Sequence, residues 1–175
     1  MSDRAHAQRI AVIGCGGAGK TFIATRLATK HGLPLIHADE LVYRGGVLQP
    51  EAQWQAELNA RTDEDAWVID AMKLSILEYR VARADTVVFL DLPRRSCYLG
   101  LGQRGKWRRD IVNPQFLRWI WRFPRDVRPR VFEILQRHSG TTYVVVLKSR
   151  RAARSYLRGR TQVSDHDERS LRFDL

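Results

Sequence analysis

The sequence predicts an α/β fold in which a five-stranded parallel sheet is covered by helices on both faces. Five short β-rich apolar runs recur, at 9–14 (RIAVIG), 34–38 (PLIHA), 66–70 (AWVID), 86–92 (TVVFLDL) and 141–147 (TTYVVVL). Helix-like segments separate them, which is the alternation that βαβ units require. The 175 residues, 44% of them hydrophobic, match one domain with a real core.

The elements follow in order. The first run leads into a helix expected from about Gly19 to Lys30, with Phe22, Ile23, Leu27 and Ala28 on its buried stripe and Gly32 ending it. Further helices are expected near 51–61, 74–84, 94–102, 114–123 and 126–138. Pro124 should break one of these and Pro129 should sit in the first turn of the next. There is no internal repeat and no Pro/Gly/Ser linker, so residues 1–160 read as a single domain. From Thr161 to Leu175, mixed charge with little periodicity predicts a flexible tail.

The junction of the first strand and first helix carries the most specific signal. Gly14, Cys15, Gly16, Gly17, Ala18, Gly19, Lys20 and Thr21 read G-x-x-x-x-G-K-[ST], immediately after an apolar strand and opening a helix. Glycines let the backbone wrap so that successive N–H groups point at phosphate oxygens, and the helix N-terminus adds partial positive charge. Lys20 is positioned to reach the β and γ phosphates, and the Thr21 hydroxyl to join a Mg²⁺ shell. The motif predicts a P-loop NTPase fold, a three-layer sandwich with ATP and Mg²⁺ as cofactors. Cys15 contributes backbone only.

Composition bounds the function. The net charge is +11, and only five of the 30 basic residues are lysine (20, 30, 73, 106 and 148). Arginine's planar fork suits phosphate, so the bias points to nucleotides or nucleic acid, with an arginine-rich genome as the bland account. Cys15 and Cys97 form neither a disulfide framework nor a zinc site. The first nine residues are polar, and no apolar run approaches the roughly 18 residues of a membrane span, so a cytoplasmic protein is expected.

Two aspartates follow apolar strands: Asp70 in "WVID" and Asp91 in "VFLDLP". Either can anchor the metal shell, or simply cap the next helix. Asp70 is preferred, because in a sheet of order 2-3-1-4-5 the third strand lies beside the P-loop strand.

The segments "AVIGCGGAGKTFIATRL", "LPLIHADEL", "WVID", "RVARADTVVFLDLPR", "FLRWIWRFPRDVRPR" and "VVVLKSRRAARSYL" together resemble the small adenylate-kinase-like P-loop proteins described as DNA topology modulation proteins. The resemblance runs from Ile10 to about Leu157 and implies a nucleotide or small-metabolite kinase. It also implies an acceptor segment after the second strand and a short arginine-rich lid after the fourth, at about 94–125. Asp39 matches the family's His-Leu-Asp turn, which implies that it holds or deprotonates the acceptor hydroxyl; the alternative is a helix cap. Where the family continues Gly-Asn-Tyr, this chain has Ala71, Met72 and Lys73, so the acceptor pocket around 39–60 and 70–76 has changed. Lid arginines are expected seven and eleven positions after Pro93; these positions are Gly100 and Arg104, with Arg108 and Arg109 nearby. Fold analogy puts adenine near Lys148, Ser149 and Arg150.

Between Arg94 and Arg130, ten arginines and one lysine face only Asp110 and Asp126. Arg118 and Arg122 share one helix face, while Phe116, Trp119, Ile120 and Phe123 form the opposing stripe. The sequence therefore reads as an ATP-dependent phosphotransferase acting on a small hydroxyl or phosphate acceptor. Lys20, Asp39, Arg104, Arg118 and Arg122 are its candidate catalytic groups, and Thr21 and Asp70 its metal ligands. The competing reading is a nucleotide-dependent nucleic-acid-binding protein whose working surface is 94–130.

Overall fold

The computed structural model describes residues 8–45, 47–70, 72–102 and 113–159. Its centre is a parallel sheet of β1 (Arg9–Gly14), β2 (Leu35–His37), β5 (Trp67–Asp70), β6 (Thr86–Leu90) and β7 (Tyr143–Leu147). Their order is β2-β5-β1-β6-β7, which over the five sheet strands is the expected 2-3-1-4-5. All four strand pairings are parallel, and β1, β5 and β6 are buried almost throughout. Crossovers leaving β1 and β5 run in opposite directions along the sheet, and right-handed connection then sends their helices to opposite faces. Accordingly α1 (Lys20–His31) lies with α8 (Arg150–Leu157) on one face, and α4 (Leu77–Arg83) lies with α7 (Arg128–Arg137) on the other.

The expected helices form at α1, α3 (Glu51–Thr62), α4 with its preceding 3₁₀ turn (Leu74–Ile76), α5 (Arg94–Gly102), α6 (Pro114–Asp126) and α7. Two expectations fail. Pro124 does not break α6, which continues to Asp126, with the Val127 N–H donating to the Phe123 carbonyl at 3.1 Å. In the last turn a missing N–H removes a single rung, so the helix tolerates it. Val127, whose φ is −108°, then joins α6 directly to α7. Phe22 is 53% exposed rather than buried, whereas Ile23, Leu27 and Ala28 lie in the core.

Three further elements complete the chain. Helix α2 (Ala38–Val42) and a hairpin of β3 (Tyr43–Arg44) with β4 (Val47–Leu48) fill the segment after β2, and α8 follows β7. The hairpin has a readable signal, since Gly45-Gly46 between Tyr43-Arg44 and Val47-Leu48 is a two-residue turn sequence. Trp54 and Trp67 are core residues, exposed by 1% and 0%.

At the strand starts, Asp85 ties β1 to β6. Its carboxylate accepts from the Arg9 backbone N–H at 2.9 Å and from the Arg9 guanidinium at 2.9 and 3.2 Å. Burial pushes the Asp85 carboxyl upward, but these bonds outweigh it and hold the group below the ordinary carboxylate range. A depressed native value stabilises the fold at neutral pH, and the gain disappears as pH falls through the carboxylate range. Asp85→Asn is therefore expected to cost about 1 kcal/mol or less at pH 7, the pair being partly exposed and screened. Urea melts at pH 7 and pH 3 check it: the gap between wild type and variant should close at the lower pH.

Candidate active site

Strand β1 ends in the glycine loop, and the loop runs directly into α1. Gly17 and Gly19 have φ of 75° and 94°, left-handed values that a side chain resists, and Gly19 caps the helix without any side-chain cap. No acid stands in the first turn of α1. Lys20 is 7% exposed, and its Nζ donates to the Cys15 carbonyl at 3.3 Å across the loop. The Cys15 thiol is pushed up by its hydrogen bond with Cys97 and by burial, which leaves it an unreactive thiol.

The two candidate metal carboxylates part company here. Both β5 and β6 flank β1, so adjacency in the sheet does not separate them. Side-chain contact does. The Thr21 hydroxyl donates to Asp70 Oδ2 at 2.6 Å, whereas Asp91 is held by Arg128 through two bonds of 2.8 and 2.9 Å. Asp70 is 7% exposed, its Oδ1 is buried without a hydrogen-bond partner among the described residues, and His37 Nδ1 lies 3.9 Å from its Oδ2. A hydroxyl beside a carboxylate with one free oxygen is the hard-oxygen chemistry that suits Mg²⁺. Among the described residues there is no cluster of three or more side chains that would cage a metal alone.

Helix α5 holds the loop from the other side, backbone to backbone. A Cβ on Gly100 would overlap the Gly17 carbonyl oxygen, and a Cβ on Gly17 would overlap the Cys97 carbonyl. The arginine that the family resemblance expects at position 100 is thus excluded by packing. Next along, the aromatic face of α6 lies on the loop: a Cβ on Gly16 would come 2.5 Å from the Phe116 ring. Phe116 stacks on Trp119 with centroids 5.9 Å apart, and Trp119 meets Phe123 edge-on at 5.3 Å. Arg118 and Arg122 are on the opposite face, with Arg122 exposed. The aromatic stripe and not the arginine face touches the loop. Trp121 is also exposed, at 59%, under the Arg94 guanidinium. Arg104, Arg108 and Arg109 lie outside the described residues.

Beside the loop opens a cavity of about 560 Å³, lined by Gly17, Gly19, Thr21, Phe22, Arg150 and Arg154 among others. Its size is that of a ligand pocket. Phe22 belongs to this wall, which explains its exposure. Arg150, expected beside the base, lines the cavity and donates from Nη2 to the Ser96 carbonyl at 2.9 Å. Ser149 is engaged in the backbone instead, its hydroxyl capping α8 by accepting from the Ala152 N–H at 3.1 Å.

On the far side of Asp70 lies the segment expected to hold the acceptor. Asp39 stands in the first turn of α2 and is not its cap; that position belongs to His37. Lys73 stands over the Trp54 ring, 4.1 Å from its centroid, and 3.9 Å from Glu51 Oε1. Met72 is buried and its sulfur accepts from the Gly14 N–H at 3.3 Å, so the altered segment touches the start of the glycine loop.

No family model and no curated protein sequence matches the chain. Solved structures do. Shikimate kinase from Acinetobacter baumannii in complex with shikimate superposes with a TM-score of 0.61 at 18% identity, covering 87% of this chain and 90% of that one. A gluconokinase from Sinorhizobium meliloti gives 0.55 at 18% identity, covering 95% and 99%. Deoxyadenosine kinase from M. mycoides with bound dATP gives 0.52 at 11%, covering 86% and 97%. The chain therefore has the fold of the P-loop kinases, along nearly the whole length of each.

The close approach of α5 generates a prediction. Gly100→Ala forces a methyl against the Gly17 carbonyl and should cost about 1–3 kcal/mol as overpacking. It should also weaken the stabilisation by MgATP, because the loop must shift. Thermal melts with and without MgATP test this; a variant that melts and responds like wild type would show that α5 does not set the loop.

Proposed function

We propose that the chain is an ATP-dependent phosphotransferase that moves the γ-phosphoryl group to a small-molecule acceptor. The observation that carries the reading is the 2.6 Å bond between Thr21, the last residue of the glycine motif, and Asp70 at the end of the neighbouring strand. It couples a phosphate-binding loop to a carboxylate at the point where a nucleotide-bound magnesium ion needs both. The P-loop kinase fold and the cavity beside the loop support the same reading.

In this reading the backbone N–H groups of Gly16, Gly17 and Gly19 and the first turn of α1 hold the phosphate oxygens, the Gly14 N–H being taken by the Met72 sulfur. Lys20 leaves the Cys15 carbonyl and turns to the β and γ phosphates. Thr21 and Asp70 would hold Mg²⁺, which would supply neutralisation of the phosphate charge. Arg150 lies beside the nucleotide, and Arg104 retains its expected role as a lid arginine. Asp39 orients the acceptor hydroxyl and receives its proton, as the resemblance to the DNA topology modulation group implies. Catalysis then rests on positioning and preorganised charge.

Two outcomes test the donor half and the acceptor half separately. Wild type should be stabilised by MgATP through mass action, and Lys20→Ala should lose most of that response while keeping its own melting temperature. Equal shifts in the two proteins would remove the loop from the proposal. Asp39→Asn should lower kcat by roughly 10² to 10⁴ with a hydroxyl acceptor and leave ATP binding intact. The variant should stay folded, and any fall in its melting temperature reads the loss of the charge that acts on Arg80. A near-normal kcat with a hydroxyl acceptor excludes the base role.

A further inference from the structure

One cation in the described residues has no acceptor at hydrogen-bond distance although it is sealed in the interior. Arg80, in the middle of α4, is 1% exposed, and none of its Nε, Nη1 and Nη2 has a partner among the described residues. Leaving an ion without water and without acceptors is strongly unfavourable, and apolar replacements at such positions are frequently more stable. A buried charge left unpaired in this way marks a functional-site candidate. Other arginines show the contrast: Arg9 has Asp85, Arg128 has Asp91 and Arg94 has the Trp121 face.

Two carboxylates act on the Arg80 charge. Burial pushes its ionisation down to about 10, and the groups that pull it back are Asp39 and Asp70, so it remains a cation at neutral pH. Asp39 and Asp70 are the two carboxylates that the proposed function puts at the acceptor hydroxyl and at the metal. Asp70 Oδ1 is itself unpartnered among the described residues, so Arg80 lies in its field without bonding it. Lys73 adds a second positive group on the same segment, between Trp54 and Glu51.

We propose that Arg80 is the buried anchor for an anionic group on the phosphoryl acceptor, a carboxylate or a phosphate monoester, held so that a hydroxyl of the same molecule faces Asp39. This rests on the phosphotransferase reading. The chemistry balances within it. The acceptor oxygen forms a bond to the γ phosphorus as the bond to the β–γ bridging oxygen breaks. The bridging oxygen leaves on ADP with the electron pair, and the hydroxyl proton passes to Asp39. The acceptor's own anion is unchanged and serves as a handle. At 1% exposure the guanidinium is shut off from solvent, so the anion meets it as the surrounding residues part, an induced fit that favours acceptors carrying the charge. A bidentate pairing with the guanidinium fork gives the orientation.

Protein saturated with MgADP has its glycine loop occupied, so added inorganic phosphate or glycolate then reports on the second site. One or both should raise the melting temperature of wild type and not of Arg80→Met; a response to phosphate alone assigns a phosphate monoester, and to glycolate alone a carboxylate. Equal responses in both proteins, or none in either, overturn the proposal. Arg80→Met without additives should melt higher than wild type, and a clear fall would make Arg80 a structural ion instead. If that variant does not fold, Arg80→Lys, which keeps the charge but loses the fork, should show a weakened response; an undiminished one counts against the anchor.

A turnover panel of hydroxy acids, phosphate monoesters, neutral nucleosides and neutral sugars separates this inference from the reading beneath it. ADP should form with anionic acceptors, and Arg80→Met should raise the acceptor KM on the order of 10²-fold or more with the KM for MgATP unchanged. ADP formation with neutral acceptors alone leaves the phosphotransferase standing and removes the role of Arg80. No ADP with any acceptor removes the phosphotransferase, while the melting response to phosphate and glycolate still decides whether Arg80 holds an anion.

Discussion

Strand β1 is paired in parallel on both edges, and the positions of all the chemical groups follow from where it stops. Register fixes Val12 against Asp70 on one side and Gly14 against Leu90 on the other. Asp70 therefore ends β5 level with Val12, two residues before β1 ends, while the loop that leaves β1 has room to fold back above it. Helix α1 then begins within one side chain of the carboxylate, and Thr21 closes the gap. Had the register slipped by one residue, Asp70 would point to the other face of the sheet. Because β1, β5 and β6 are apolar on both faces, burial alone does not choose that register, and the contact of Thr21 with Asp70 is what ties it to the site.

The loop is shaped from outside as much as from within. Its glycines permit the left-handed turns, but Gly100 and Cys97 of α5 and Phe116 of α6 define the surface on which it rests. This changes the meaning of a missing lid arginine. Position 100 is part of the support of the loop, where any side chain would displace the Gly17 carbonyl. In the proposed phosphotransferase a positive group for the transferred phosphoryl comes from elsewhere, from Lys20 and Arg150 within the described residues.

The five strands and their order, and most of the helices, are legible in the sequence because each rests on a local signal: an apolar run, a glycine motif, a proline in a first turn. The contact between Thr21 and Asp70 is legible for the same reason, since motif and strand end are both short-range features. What stays hidden depends on tertiary packing. Phe22 has the periodicity of a core residue because helix periodicity counts faces, and only the arrangement of α1, α5 and α8 opens a cavity there. Charge alone points Arg118 and Arg122 toward the site, whereas the packing of Phe116 and Trp119 against the loop turns the arginine face outward. Pro124 has the signature of a stop, yet its effect depends on how close the helix is to its end.

Charge shows the same division between what a sequence displays and what a fold uses. A chain with a net charge of +11 draws attention to its arginine-rich stretches, and many of those arginines are exposed or held by a carboxylate or an aromatic ring. Arg80 stands in the short helix α4, where nothing in local composition marks it. Only its burial, joined to the absence of a partner in the described residues, separates it from the others. Electrostatic work scales with how far water is removed, so one dry guanidinium near Asp39 and Asp70 outweighs a row of wet ones on the outer face of α6. Under the anchor role proposed for Arg80, acceptor recognition is a question of which anion can replace the hydration that Arg80 gave up on folding.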